Sequence, residues 1–182
     1  MARRLPLSSE LASHDRQRDF EYMDFVIRPA TCADAPHLTA LAQTAKASWG
    51  YPAAWLEVWR NALTITPSYI EMHTVVVAEA LAPSRSVIGM CALEDGEEHW
   101  QIAHLWIAPH AQRAGIGRAL VQHVVAAAGS HKPGRVVRAE ADPYAADFYR
   151  RLGACEVATV PAPMDGAPTR VLPVFELATP AG

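Results

Sequence analysis

The chain has 182 residues, 51% of them hydrophobic and 19% charged, with 16 Lys and Arg against 19 Asp and Glu for a formal net charge of −3. At roughly 150 residues per domain this is one domain plus an appendage, large enough to hold a core without disulfides or a structural metal, and the composition excludes collagen, disorder and a disulfide scaffold. No basic run stands out, which argues against a nucleic-acid partner and a polybasic membrane role. Cys32, Cys91 and Cys155 are widely spaced and form no CxxC, so they are expected to be free thiols in a reducing cytosol. Apolar stretches stay well below the ~18 residues of a spanning helix, and the N-terminus lacks a signal-peptide core, so a cytoplasmic protein with no membrane partner is expected.

Residues 1–22 are dense in charge (Arg3, Arg4, Glu10, Asp15, Arg16, Arg18, Asp19, Glu21) without a sustained period, and read as a flexible N-terminal extension. Met23 stands directly before the first strand-like run, Phe25-Val26-Ile27, so the extension is equally readable as a matter of start-site assignment; residues 23–182 form the domain. Asp34, with Pro36 in the first turn, is expected to cap a helix whose apolar face is Leu38, Leu41, Ala42 and Ala45. Trp49-Gly50-Tyr51-Pro52 ends it, and Pro52 opens a second helix carrying Trp55, Val58, Trp59 and Leu63.

The β-branched runs Thr74–Ala78 and Val87–Leu93 predict a hairpin. After the turn Glu94–Glu97, residues His99–Ile107 are apolar on both faces and predict a buried central strand. A helix from Arg118 to Ala128 buries Leu120, Val121, Val124 and Ala128. Val136–Ala139 is a strand, Pro143–Leu152 a helix closed by Gly153, and Cys155–Val160 and Thr169–Leu177 are two further strands. The order predicts an α+β (mixed α/β) fold, a mixed sheet with helices on both faces rather than a doubly wound alternation.

The sharpest local signal is Gln112-Arg113-Ala114-Gly115-Ile116-Gly117, between a buried strand and a helix. Two glycines let backbone approach a ligand, and the free amides of a first helical turn, with the helix dipole, suit an anion such as phosphate. It is not the dinucleotide GxGxxG, because Leu120 replaces the third glycine, and no Lys-Ser/Thr follows as in a Walker A loop.

Taken with Asp142-Pro143-Tyr144-Ala145-Ala146-Asp147-Phe148-Tyr149-Arg150-Arg151-Leu152-Gly153-Ala154 downstream, the Gln-x-x-Gly-x-Gly loop resembles the GNAT N-acetyltransferase superfamily over Phe25 to Leu177. The resemblance implies a central mixed sheet of about seven strands flanked by about four helices, acetyl-CoA as cosubstrate, and no metal. It implies that the pyrophosphate sits on the amides of Gln112, Arg113, Ala114, Gly115, Ile116, Gly117 and Arg118, and that the pantetheine arm pairs along Leu105, Trp106 and Ile107. Tyr149 stands where the family usually has its general acid. Asp142 and Tyr144 replace asparagines common in relatives and are kept as cofactor neighbours, although Asp142 before Pro143 is equally a helix cap. His104 and, less well placed, Glu98 are candidates for the general base; His104 is equally readable as a hydrogen-bonded core residue. Trp49 and Tyr51, on a Gly-Pro turn where the family builds its acceptor site, are expected to face the substrate; Trp55 is equally readable as core packing. A homodimer is the family expectation.

The chemistry is consistent with this assignment. Acyl transfer to an amine needs a neutral amine, donors at the carbonyl oxygen and a proton for the departing thiolate; a thiol titrates near ~8.5 and a phenol near ~10, so a tyrosine can attend the sulfur. The expected function is transfer of an acetyl group from acetyl-CoA to a primary amine of a small molecule, by direct attack in a ternary complex. A protein N-terminus or lysine is an alternative acceptor, and a non-catalytic acyl-CoA sensor or interaction module is the alternative of another class.

Overall fold

A computed structural model describes residues 24–82 and 85–180. The extension expected over 1–22 and the tip of the first hairpin turn, 83–84, lie outside the described residues. The described residues form seven strands and five α-helices: β1 (Phe25–Pro29), α1 (Ala35–Ala47), α2 (Ala53–Val58), α3 (Pro67–Met72), β2 (Thr74–Ala80), β3 (Ser86–Asp95), β4 (Trp100–Ile107), α4 (Ile116–His131), β5 (Val137–Glu140), α5 (Ala146–Arg151), β6 (Cys155–Pro161) and β7 (Val171–Leu177). They make one mixed sheet in the order β1-β2-β3-β4-β5-β7-β6. Only β4 and β5 pair in parallel.

The expected apolar faces are the buried ones. Leu38, Leu41, Ala42 and Ala45 of α1 and Leu120, Val121, Val124 and Ala128 of α4 all lie in the core, as their helical spacing requires. β2 is buried from Val75 to Ala78 without alternation, the pattern of a strand covered on both faces.

Two local expectations need correction. Asp34 does not cap α1 with its side chain; its carboxylate accepts from the Thr31 N–H (2.7 Å) and takes a fork of hydrogen bonds from Arg28 (2.9 and 3.0 Å). Those Arg28 bonds hold the carboxyl well below the usual carboxylate range. The helix α3 was not expected, although Thr66 and Pro67 spell its start: the Thr66 hydroxyl accepts from the Tyr69 N–H (3.1 Å), and Pro67 occupies the first turn, where no amide is needed.

The sheet positions the site through two irregularities. In β4 the register passes from Ala92↔His104 to Leu93↔Ile102, skipping Ala103. This bulge turns His104 and Trp106 onto the face opposite Ile102, whereas in a regular strand all three would share one face. Trp106 thereby meets Trp49 at the end of α1 (ring centroids 5.8 Å), and His104 meets Tyr69 of α3 (5.4 Å). On the other face α4 approaches closely at Gly89, where a Cβ would fall 2.8 Å from Ile107 and 3.1 Å from both Ile116 and Leu120.

The second irregularity is the pairing of β4 with β5, which covers only Trp100↔Val137 and Gln101↔Arg138. Beyond Gln101 the strands diverge, so among the described residues the edge of β4 facing away from β3 has no strand partner over its last six residues. The expected fully buried strand is therefore buried at Trp100 and Ile102 and only half-buried from Ala103 to Ile107. Among the described residues no helix is long and apolar enough to cross a membrane.

Candidate active site

The divergence opens a cleft of about 340 Å³. Leu105, Trp106 and Ile107 form one wall, Tyr144, Ala145 and Phe148 the opposite wall, and Ala45 and Trp49 close the end toward α1. Gln112, Arg113, Gly115, Gly117, Arg118 and Arg151 make the rim.

The rim is built by backbone conformation. Arg113 (φ 68) and Gly115 (φ 79) both adopt the left-handed region, which folds the chain back from β4 into α4. A Cβ at Gly115 would meet nothing within 4 Å, so glycine is needed there for its torsions and not for space. At Gly117 the reason is reversed: a Cβ would stand 3.2 Å from the Phe148 ring and 3.6 Å from Ile107, so glycine lets the start of α4 pack against α5. Gly115→Ala should therefore destabilise the fold by about 1–2 kcal/mol, the cost of a left-handed non-glycine residue. Urea unfolding measures it, and an unchanged midpoint would show that the turn tolerates a side chain.

The resulting rim is a site for an anion. The first amides of the 16-residue helix α4 have no intrahelical partner and point out of its N-terminus. The guanidinium groups of Arg113, Arg118 and Arg151 line the same cleft, with Arg118 steadied by a hydrogen bond to the Arg151 carbonyl (2.9 Å). Among the described residues no Asp, Glu or His lines it. Local charge here is thus opposite in sign to that of the whole chain.

The candidate residues separate into three groups. Trp49, Leu105, Trp106, Ile107, Gln112, Arg113, Gly115, Gly117, Arg118 and Tyr144 all line the cleft. Ala114 is half-buried beside it, while Ile116 is 1% exposed and packs into the core, so only its backbone is available to a ligand.

Asp142, Tyr51 and Tyr149 form the second group, next to the cleft but engaged elsewhere. Asp142 belongs to a buried polar hub: one carboxylate oxygen accepts from Lys46 Nζ (2.5 Å) and Arg170 (3.0 Å), the other from the Tyr51 hydroxyl (2.8 Å) and the Tyr144 N–H (3.0 Å). All four bonds are to protein, and Asp142 caps the turn at Pro143–Ala145 while neutralising two cations. Tyr51 is likewise committed; burial and the Asp142 bond push its hydroxyl up to about 12. Lys46, 7% exposed, lies over the rings of Trp49 (5.0 Å), Tyr51 (5.0 Å) and Trp59 (4.2 Å), and burial lowers its pKa against the opposing pull of Asp142. The expected substrate-facing turn is therefore divided: Trp49 faces the cleft, and Tyr51 faces this hub. Trp55 stacks on Tyr51 (5.6 Å) and donates its indole N–H to the Asp165 carbonyl, as packing.

Tyr149 lies one residue beyond Phe148 on α5, about 100° around the helix, and stacks on Phe175 of β7 (5.4 Å, 13°). It is 5% exposed, burial pushes its pKa far upward, and among the described residues its hydroxyl has no hydrogen-bond partner.

Neither base candidate meets the cleft. Glu98 is exposed in the turn before β4, seven residues from Leu105 and thus roughly 23 Å away along an extended strand. His104 is behind the Trp106 wall, where its Nδ1 accepts the Trp106 indole N–H (3.2 Å). An indole nitrogen only donates, so the neutral imidazole carries its proton on Nε2 and has no free lone pair for an incoming proton. The expectation that His104 acts as base is corrected on that ground.

Sequence reasoning missed Lys46, Arg170 and the cleft face of α5. The last was legible: Tyr144, Ala145, Phe148 and Arg151 recur at helical spacing in the segment already singled out.

Residues 71–153 match the family model described as an acetyltransferase (GNAT) domain. Among solved structures, a GCN5-related N-acetyltransferase from Rhodopseudomonas palustris aligns over 86% of this chain and 98% of its own, with TM-score 0.69 and 16% identity. The PaiA N-acetyltransferase of Thermoplasma acidophilum, solved with coenzyme A, aligns over 85% and 98% with TM-score 0.66 and 16% identity. The ribosomal-protein-S18-alanine N-acetyltransferase of Escherichia coli aligns over 87% and 96% with TM-score 0.64 and 15% identity. No curated protein matches the sequence.

Proposed function

We propose that this chain, which has the GNAT fold and carries a GNAT acetyltransferase domain over residues 71–153, transfers an acetyl group from acetyl-CoA to a primary amine. The observation that carries the reading is the unpaired edge of β4 beyond Gln101, facing a cleft whose rim holds the α4 N-terminus and three arginines. An extended amide-bearing arm can pair with such an edge as an added strand would, and a diphosphate can rest on free amides beside guanidinium groups. The pantetheine arm and phosphates of CoA have both features. Leu105, Trp106 and Ile107 would hold the arm, and the amides of Gln112 to Arg118, with Arg113, Arg118 and Arg151, would hold the phosphates.

In the reaction a C–N bond forms at the acetyl carbon, the C–S bond breaks, the amine loses a proton and the sulfur gains one. Backbone N–H groups of the free β4 edge are donors for the carbonyl oxygen as negative charge develops there. The Tyr149 hydroxyl stays protonated at any working pH, as a donor to the departing sulfur must. Its burial makes it a weaker acid than a free phenol, so its part is a hydrogen bond to the sulfur, with the proton supplied finally from solvent.

Among the described residues no Asp, Glu or His lines the cleft, and on this reading the amine gives up its proton to water at the mouth. Acetylation should then rise about tenfold per pH unit up to the acceptor's own pKa. Two acceptors of different ammonium pKa separate this from a protein base, which would give both the same inflection.

The acceptor is a small-molecule amine on this reading, since the mouth is walled by Trp49, Trp106 and Tyr144 rather than by acids. A protein N-terminus or lysine is the alternative acceptor. The missing base favours, as a second reading, a sensor that binds acyl-CoA without turning it over. The cofactor half is tested by calorimetry: CoA should bind at least about tenfold more tightly than pantetheine, which lacks the phosphates that charge-assisted bonds would hold. Equal affinities would overturn the assignment of the arginine rim.

A further inference from the structure

We infer that His104 is a positioning residue, holding the Trp106 indole in the cleft wall through its Nδ1; the consequence for ligand binding rests on the reading of that cleft as the acyl-CoA site. Trp106 is a wall residue whose orientation the sheet alone does not determine. It lies at the half-buried end of β4, beyond the Ala103 bulge and without a neighbouring strand on one side. Two contacts fix its ring: the hydrogen bond to His104 Nδ1 (3.2 Å) and the tilted packing against Trp49 (5.8 Å). Residues 104 and 106 share a face at the spacing of one pleat, and the bulge before them turns that face toward α1 and α3. An unbonded indole N–H there would lose a hydrogen bond in a half-buried wall, and the ring would be free to turn into the cleft.

The imidazole is held in the matching tautomer by its surroundings. Tyr69 of α3 packs against its edge (5.4 Å), and the Tyr69 hydroxyl donates to Glu94 of β3 (2.7 Å), which occupies that carboxylate oxygen. Burial lowers the His104 pKa and outweighs Glu94, which favours the charged imidazole, while His73 after α3 adds to the lowering. At neutral pH His104 is therefore uncharged, with Nδ1 open to the indole. Protonation places a hydrogen on Nδ1 facing another donor, and the Trp106 bond is lost. The device is set in its holding state above the ordinary imidazole range and released below it.

The test uses the full chain and two readouts. The Trp106 indole N–H resonance, assigned by its absence in Trp106→Phe, should shift between pH 8 and 5 in the wild type. In His104→Asn, whose Oδ1 stands near the place of Nδ1 and accepts at every pH, it should stay fixed. CoA affinity should fall about tenfold in His104→Leu at pH 7.5, about what the net loss of one hydrogen bond costs, and His104→Asn should remain within about twofold of wild type. Protonation of CoA's own phosphates affects all three proteins alike and cancels in the comparison.

An indole resonance that does not move with pH in the wild type overturns the proposal, as does equal CoA affinity of all three proteins. Turnover lost equally in Asn and Leu with affinity intact would return His104 to the role of base and overturn it also. A resonance that titrates in a protein that binds no CoA leaves the His104–Trp106 bond standing and refutes the acyl-CoA reading of the cleft.

Discussion

Replacing Asp142 by alanine is expected to destabilise the fold by about 3–5 kcal/mol, the cost of breaking a buried ion pair from one side. The carboxylate and its two cations are nearly sealed, with side-chain exposures of 9% for Lys46, 11% for Arg170 and 7% for Asp142. Removing the anion leaves two buried positive charges facing each other, strips the Tyr51 hydroxyl of its acceptor and uncaps the turn at Pro143–Ala145. At roughly 2–4 °C per kcal/mol for a chain of this size, the melting temperature should drop by about 10 °C. Lys46→Met is the informative contrast. It keeps an apolar, polarisable chain among Trp49, Tyr51 and Trp59 and leaves Asp142 paired with Arg170, so it should cost less than half as much. Equal losses in the two variants would mean that the aromatic contacts of the ammonium, and not the carboxylate, hold the hub together.

Tyr149→Phe is expected to lower turnover about 10²-fold, the cost of removing one hydrogen-bond donor to charge that develops in the transition state, with CoA affinity nearly unchanged. The separation of the two effects follows from geometry. The ring packs against Phe175 and would do so equally as phenylalanine, and the residue does not line the cleft, so binding and stability lose little. What disappears is one hydroxyl with no protein partner among the described residues. Steady-state thiol release gives kcat, and calorimetry gives CoA affinity. Unchanged kcat would remove Tyr149 from the mechanism and reduce it to core packing.

How much of this was readable beforehand depends on how local each determinant is. The Gln112–Gly117 loop was legible because its constraints lie within a few residues: a left-handed Gly115, a close Gly117, and a helix start. The apolar stripes of α1 and α4 were legible for the same reason. α3 was missed although Thr66 and Pro67 announce it, because a helix of six residues has too short a period to stand out.

The Ala103 bulge was invisible, since nothing in Ile102-Ala103-His104 marks a skipped residue; the register comes from β3. That one shift carries His104 and Trp106 together to the face opposite Ile102, toward α1 and α3. Lys46 and Arg170 were missed because their partner is 96 and 28 residues away, and a lysine at the end of a helix looks like a solvated one. Asp142 looked like either a cofactor contact or a cap; it is a cap, within a hub that no local pattern could reveal.

The central claim is that the cleft carries out acyl transfer, and release of thiol from acetyl-CoA in the presence of a mixed panel of primary amines tests it most directly. The account predicts amine-dependent thiol release that grows with pH toward the acceptor's own pKa, together with an acetylated amine in equal amount. Tight CoA binding with no thiol release above the uncatalysed rate, for small amines and peptide N-termini alike, would contradict it and leave a sensor.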